Sequence, residues 1–208
     1  MKIKIFLYTL LICLSAPLAL MGASAADASR TLQKIADGIS SHQSIKCVFS
    51  LKGQQSDFKG TLVISGERFK VTAQGYQTWY DGETQWTFNE AQKEVTVSEP
   101  TPSELEQVNP FAIFNSFRRA YTASFGAKPK PGTTKILLKA NSAKAQISSV
   151  ELTVNSKTNI PEKIVIVSDG NQTTVINIIS FTKGGALPAD TFRYDPAQHP
   201  GVEINDMR

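Results

Sequence analysis

Few residues in this chain could perform acid–base, nucleophilic or metal chemistry. There are two histidines, His42 and His199, and two cysteines, Cys13 and Cys47. A catalytic imidazole needs a nucleophile or carboxylate within hydrogen-bond reach, and the sequence places none beside either histidine. No HExxH, GxSxG, CxxC or glycine-rich phosphate loop occurs. Asp169-Gly170-Asn171 has the look of a metal-loop fragment, but without further spaced carboxylates a turn is the better reading. Asn171-Gln172-Thr173 matches a glycosylation sequon, a weak signal. The expectation is a protein that is not an enzyme and has neither metal nor cofactor. His42 and His199 read as surface structural residues and Cys47 as a buried strand residue.

The chain does offer aromatic surface at regular spacing. Residues 109–121 read NPFAIFNSFRRAY. Asn109 suits an N-cap and Pro110 the first helical position. Phe111, Phe114, Phe117 and Tyr121 then share one helical face, with Ile113 and Phe117 as an i,i+4 pair beside it. Such a face either plugs an ordinary core or covers something that is not protein. Trp79, Tyr80, Trp86 and Phe88 could form a carbohydrate platform, but their alternation with polar residues favours core packing.

The elements that must position these residues begin after an export signal. Lys2 and Lys4 form a positive n-region, Ile5 to Leu14 an apolar stretch, Pro17 a break, and Ala23-Ser24-Ala25 an A-x-A cleavage pattern. Residues 1–25 are therefore expected to be removed, leaving one domain over 26–208. Ile12 directly precedes Cys13, where a lipidation signal needs a small residue, so Cys13 belongs to the apolar stretch. Cys47 is then the single remaining thiol, which excludes an internal disulfide. Losing Lys2 and Lys4 takes the formal charge from +4 to +2, a balance that carries no nucleic-acid or membrane-surface signal. The exported product is expected to be soluble and monomeric.

Leu32, Ile35 and Ile39 predict a short amphipathic helix over 27–41, weakened by Gly38. The period then becomes two, predicting strands in CVFSL (47–51), GTLVI (60–64), RFKVT (68–72), TWY (78–80), QWTF (85–88) and EVTV (94–97). Thr101-Pro102-Ser103-Glu104 turns into a helical piece that interrupts the strands. They resume at 135–140, 147–154, 162–168, 173–181 and 191–195. Ten or so strands on hairpin-sized connections argue a meandering antiparallel sheet long enough that it must curl or close.

The order of these pieces resembles the LolA-type periplasmic outer-membrane lipoprotein carriers over nearly the whole mature chain. The most specific elements are Asp81-Gly82 followed by Trp86, Asn109-Pro110-Phe111, and the tail Phe192, Tyr194, Pro196, Gly201, Val202, Ile204, Asp206. The resemblance implies a curled antiparallel sheet forming an incompletely closed β-barrel covered by a helical lid. It further implies a cavity for lipoprotein acyl chains, loaded by an inner-membrane lipoprotein-releasing ABC transporter and unloaded to an outer-membrane lipoprotein receptor. A sensing or regulatory domain of the same fold, or an accessory protein of envelope lipid metabolism, are the alternatives. On this reading Phe49, Leu62, Ile64, Phe69, Trp86, Phe88, Phe111, Phe114 and Phe117 border the cavity. The better-known members carry an Arg-Pro pair after the strand matching GTLVI, where this chain has Ser65-Gly66-Glu67-Arg68. Arg68 is the candidate for the arginine that latches the lid.

Overall fold

The period-two runs do become strands, and they form a single twelve-stranded sheet. The structure is a computed structural model that describes residues 18–53, 57–109, 111–127 and 130–208. The expected signal features over residues 1–17, Cys13 among them, and Pro110 lie outside the described residues.

Helix α1 (Leu18–Ser40) leads into strands β1 (Ser44–Lys52), β2 (Asp57–Ser65), β3 (Arg68–Ala73), β4 (Tyr76–Tyr80), β5 (Gln85–Asn89) and β6 (Glu94–Ser98). Helices α2 (Pro102–Val108) and α3 (Ile113–Ala120) follow. The chain returns through β7 (Tyr121–Phe125), β8 (Thr133–Ala140), β9 (Ile147–Asn155), β10 (Pro161–Ser168) and β11 (Gln172–Gly184), and ends in β12 (Glu203–Asp206). The order across the sheet is β12-β6-β5-β4-β3-β2-β1-β11-β10-β9-β8-β7. Adjacent strands pair antiparallel, except that β12 joins β6 in parallel. β12 and β7 do not pair with each other, so the curled sheet stays open along one seam.

Tight turns make the meander possible. Gln74 and Gly75, between β3 and β4, have φ of 52° and 79°, the two left-handed positions that a two-residue type I′ hairpin loop requires.

The sheet buries opposite faces in its two halves. From β1 to β3 and β8 to β11, the residues that face the helices are apolar: Cys47, Leu62, Phe69, Ile136, Leu152, Ile164 and Ile176 are all buried in one core with α1 and α3. From α1 that core takes Ala28, Leu32 and Ile35, the stripe expected from their spacing. At β4 the covered face switches. Register pairs Trp79 with Trp86, and Phe88 with Val95, and these residues form a second cluster under Tyr194 and Val202 of the tail. The helix side of β4–β6 instead carries the cross-strand series Thr78, Thr87 and Thr96.

Several boundaries differ from expectation. The first helix, expected over 27–41, begins at Leu18 and ends at Ser40. The helix expected from Asn109 begins at Ile113, because Asn109 caps the end of α2 through its amide on Leu105 O and its side chain accepts from Phe111 N at 3.0 Å, an Asx turn that holds the chain out of helix. Tyr121 starts β7 in extended conformation, with φ −133° and ψ 152°. The run TFRYD is not a strand: Ala189–Phe192 is a 3-10 turn, which aims Phe192 into the protein, where it is fully buried.

Candidate functional site

Two cavities lie between the sheet and the helices, and α2 borders both. α2 is well specified locally. Thr101 N donates to Glu104 Oε2 at 2.7 Å, one arm of a capping box that fixes its first turn. Further along, the buried Glu106 carboxylate accepts from Tyr121 OH at 3.0 Å, tying α2 to strand β7. Burial first, and then the negative Glu106 beside it, raise the Tyr121 hydroxyl well above the ordinary tyrosine value.

The first cavity has a volume of about 280 Å³. Its sheet wall is Ile45, Ile64, Phe69 and Tyr80; its helix wall is Leu105, Glu106, Phe111 and Phe114, with Ile39 and His42 at the end of α1. The phenylalanine rings of 111 and 114 are 6.0 Å apart, and Phe111 also meets Phe181 at 6.3 Å. Charge sits around this cavity in Glu67, Glu106 and Arg119. The second cavity is larger, about 590 Å³. Phe49, Leu51, Leu62 and Val71 wall it from β1–β3, Ile147, Ile166 and Ile176 from the far strands, and Val108 from α2. Polar atoms enter through Gln146, Ser168, Gln172 and Thr174.

The structure therefore divides the expected cavity set. Ile64, Phe69, Phe111 and Phe114 border the first cavity, and Phe49 and Leu62 the second. Phe117 borders neither; it is buried to 3 % exposure in the surrounding core. Trp86 and Phe88 require correction. They lie on the opposite sheet face in the tail-covered cluster, because the sheet switches its buried side at β4. Arg68 requires another. It alternates with the inward Phe69, so it points away from α2 and α3; its guanidinium lies 5.1 Å over the Phe192 ring and donates to Ser65 Oγ at 3.3 Å. It fastens the tail and does not latch the helices.

Sequence reasoning passed over Tyr80, Leu51, Val71 and Ile176. Leu51 and Val71 could have been found because they continue the alternation of Phe49 and Phe69; Ile176 is placed by its pairing across the sheet with Leu51, which the sequence does not display. His42, read as a surface residue, is half-buried at the first cavity. His199 sits against the Phe88, Tyr194 and Trp79 rings at 4.8, 5.0 and 5.7 Å, a packing role on the tail. Cys47 lies in the core, and burial pushes its thiol up to about 12, far from a reactive thiolate. Asp81-Gly82 is also a tail anchor. Asp81 Oδ1 accepts from Thr84 N at 3.0 Å, while Arg193 Nη2 reaches Oδ2 at 2.8 Å. Burial alone would raise this carboxyl, but the Thr84 and Glu83 amides and Arg193 together hold it below the usual carboxylate range.

Among the described residues, no group of three or more His, Cys, Asp or Glu is placed to hold a metal ion. No described helix is long and apolar enough to cross a membrane.

A half-open sheet with apolar cavities beneath helices agrees with the comparison to known families. The model of the outer membrane lipoprotein carrier protein LolA matches residues 18–170. The chain belongs to this family. Among curated proteins, none is recognisably similar in sequence. The fold recurs in solved structures at low identity. An uncharacterized conserved protein from Thermus thermophilus superposes with TM-score 0.59 at 11 % identity, covering 86 % of this chain and 99 % of that one. A DUF1329 family protein from Desulfovibrio piger gives 0.52 at 13 % identity, over 85 % and 100 %. A putative outer membrane lipoprotein-sorting protein domain from Vibrio parahaemolyticus gives 0.51 at 9 % identity, over 81 % and 97 %. At these identities the likeness is one of fold. The carrier model covers every residue bordering the second cavity except Gln172, Thr174 and Ile176, and ends before the tail.

Proposed function

We propose that this LolA-family chain is an exported periplasmic carrier that shields lipoprotein acyl chains and shuttles them between the inner and outer membranes. The observation that carries this reading is the second cavity: about 590 Å³, walled by aliphatic and phenyl groups from β1–β3 and from β9–β11, with Val108 at the end of α2 bordering it. That volume is within the range of small-ligand sites, and its apolar wall of Phe49, Leu51, Leu62, Val71, Ile147, Ile166 and Ile176 suits hydrocarbon, with Gln146, Ser168, Gln172 and Thr174 as its polar part. Each buried methylene contributes about 0.8 kcal/mol to membrane affinity, so a multiply acylated lipoprotein does not cross water unaided. A carrier must bind it, yet release it to a site that holds it more tightly, and no titrating group or cofactor is required for that. The partners this implies are an inner-membrane lipoprotein-releasing ABC transporter as donor and an outer-membrane lipoprotein receptor as acceptor.

The test is mass spectrometry of what co-purifies with the protein from its own periplasm, followed by transfer of that cargo between donor and acceptor vesicles. Recovery of acylated cargo that then moves to acceptor vesicles supports a carrier. Cargo that binds and never transfers would make the chain a sensing domain instead, and recovery of no acylated species would refute the reading.

A further inference from the structure

The pleat sorts charge as well as apolar surface, and it does so on the face away from the cavities. Pairing sets Lys135, Thr153, Lys163, Asn177, Ser50 and Lys59 side by side in one outward row across β8, β9, β10, β11, β1 and β2. At about 4.8 Å between strands, this row runs roughly 24 Å. A second row places Lys46 and Lys70 on either side of Val63, and Lys139 stands opposite Ser149 on the same face.

Little negative charge answers these lysines. Lys135 Nζ lies 2.9 Å from Glu151, and Lys52 Nζ 3.6 Å from Asp57. Among the described residues, Lys46, Lys59, Lys139 and Lys163 are in no ion pair. Between them stand Val48, Val165, Val167 and Val175, each only partly covered. β11 carries one extra residue where its pairing with β1 shifts between Val48 and Phe49. That residue is Ile179, which is 53 % exposed.

A bulge that pushes an isoleucine into water among unpaired lysines calls for a partner that is both anionic and apolar at shallow depth. The lysines are spread over five strands with aliphatic groups between them. A diffuse anionic plane with hydrocarbon beneath its headgroups fits that spread better than a single acidic peptide, which would want the charges gathered along a line. The small overall charge conceals this face, where Glu151 and Asp57 each pair with one lysine and leave the others unanswered.

We propose that the outer face of β1, β2, β10 and β11 docks the protein on bilayer surfaces bearing anionic phospholipid headgroups. Each lysine near such a surface raises affinity about fivefold, and salt weakens the attraction. The inference does not depend on what the cavities hold.

The test uses the exported protein and vesicles of phosphatidylcholine alone or with phosphatidylglycerol added. Co-sedimentation should require phosphatidylglycerol and should fall as salt rises. The triple variant Lys46→Gln/Lys59→Gln/Lys163→Gln should bind about a hundredfold more weakly, with an unchanged melting curve. Ile179→Ser should weaken binding further without altering its salt dependence. Equal binding to both vesicle types, or full binding by the triple variant, would overturn the proposal. So would a variant that binds vesicles as wild type but loses cargo transfer, because that face would then be meeting an acidic protein. Acyl-probe binding, read in parallel without vesicles, should be unchanged in all variants, which separates failure here from failure of the carrier reading.

Discussion

Phe114 and Phe117 lie three residues apart on α3, both buried, and they should respond differently to truncation. Phe117 borders neither cavity, so Phe117→Ala should leave a void in close-packed core and cost about 3–5 kcal/mol. For a chain of this size that lowers Tm by about 6 °C or more. Phe114 borders the 280 Å³ cavity. Part of its surroundings is already empty, so the void term shrinks and the transfer term remains, about 2 kcal/mol, or roughly 4–8 °C. The same truncation removes one face of a ring from whatever fills the cavity. Roughly 40–60 Å² of apolar contact at about 25 cal/mol per Å² predicts binding weaker by five- to tenfold. The assay pairs thermal melts with titration of a fluorescent fatty-acyl probe, both variants measured as folded protein. Equal destabilisation with equal probe affinity would show that Phe114 is ordinary core and that the first cavity takes no acyl chain.

Three further outcomes follow from side-chain environments. Tyr121→Phe should cost about 1.5–3 kcal/mol in denaturant melts with unchanged slope, since a buried carboxylate loses the donor it shares across α2 and β7; because the native hydroxyl is raised, wild-type stability is full below the ordinary tyrosine value near 10 and declines as pH rises above it. Asp81→Ala should cost about 1–2 kcal/mol, mostly through the Thr84 and Glu83 amides because Arg193 is largely exposed, and should speed hydrogen exchange around Phe192 and Tyr194; its lowered carboxyl makes the wild-type contribution full above the ordinary value near 4 and lost as pH falls through the native one. Cys47, with its thiol near 12, should resist maleimide at pH 8 until denaturant is added, and rapid labelling of the native protein would show that the β1 core opens readily.

Strand existence was legible because alternation is a local property: each of the runs from CVFSL to TTVINIISF lies inside an observed strand. The capping box at Thr101 was legible for the same reason. What alternation cannot carry is which face is covered. Trp86 and Phe88 do share a face, as their spacing requires, but that face is set by Tyr194 and Val202, more than a hundred residues later. β7 was hidden because Tyr121 satisfies a helical spacing from Phe117 and a strand start equally well. β12 was hidden because it is four residues long, exposed throughout, and exists by pairing with β6.

The switch of covered face at β4 also explains where the cavities end. A curled sheet that was apolar on its whole concave side would collapse onto its helices or stay wet over a large hydrocarbon surface. Here the concave side turns to hydroxyls at Thr78, Thr87 and Thr96, so water can meet it without penalty and the apolar interior stops beside Tyr80 and Val71. The strands beyond that line need another source of stability, and the tail supplies it through Phe192, Tyr194, His199 and the Asp81–Arg193 pair. The two inner-face cavities lie against β1–β4 and β9–β11 beside α2, while a third, about 590 Å³, lies on the outer face between Lys70, Gln77 and Trp79 and the tail.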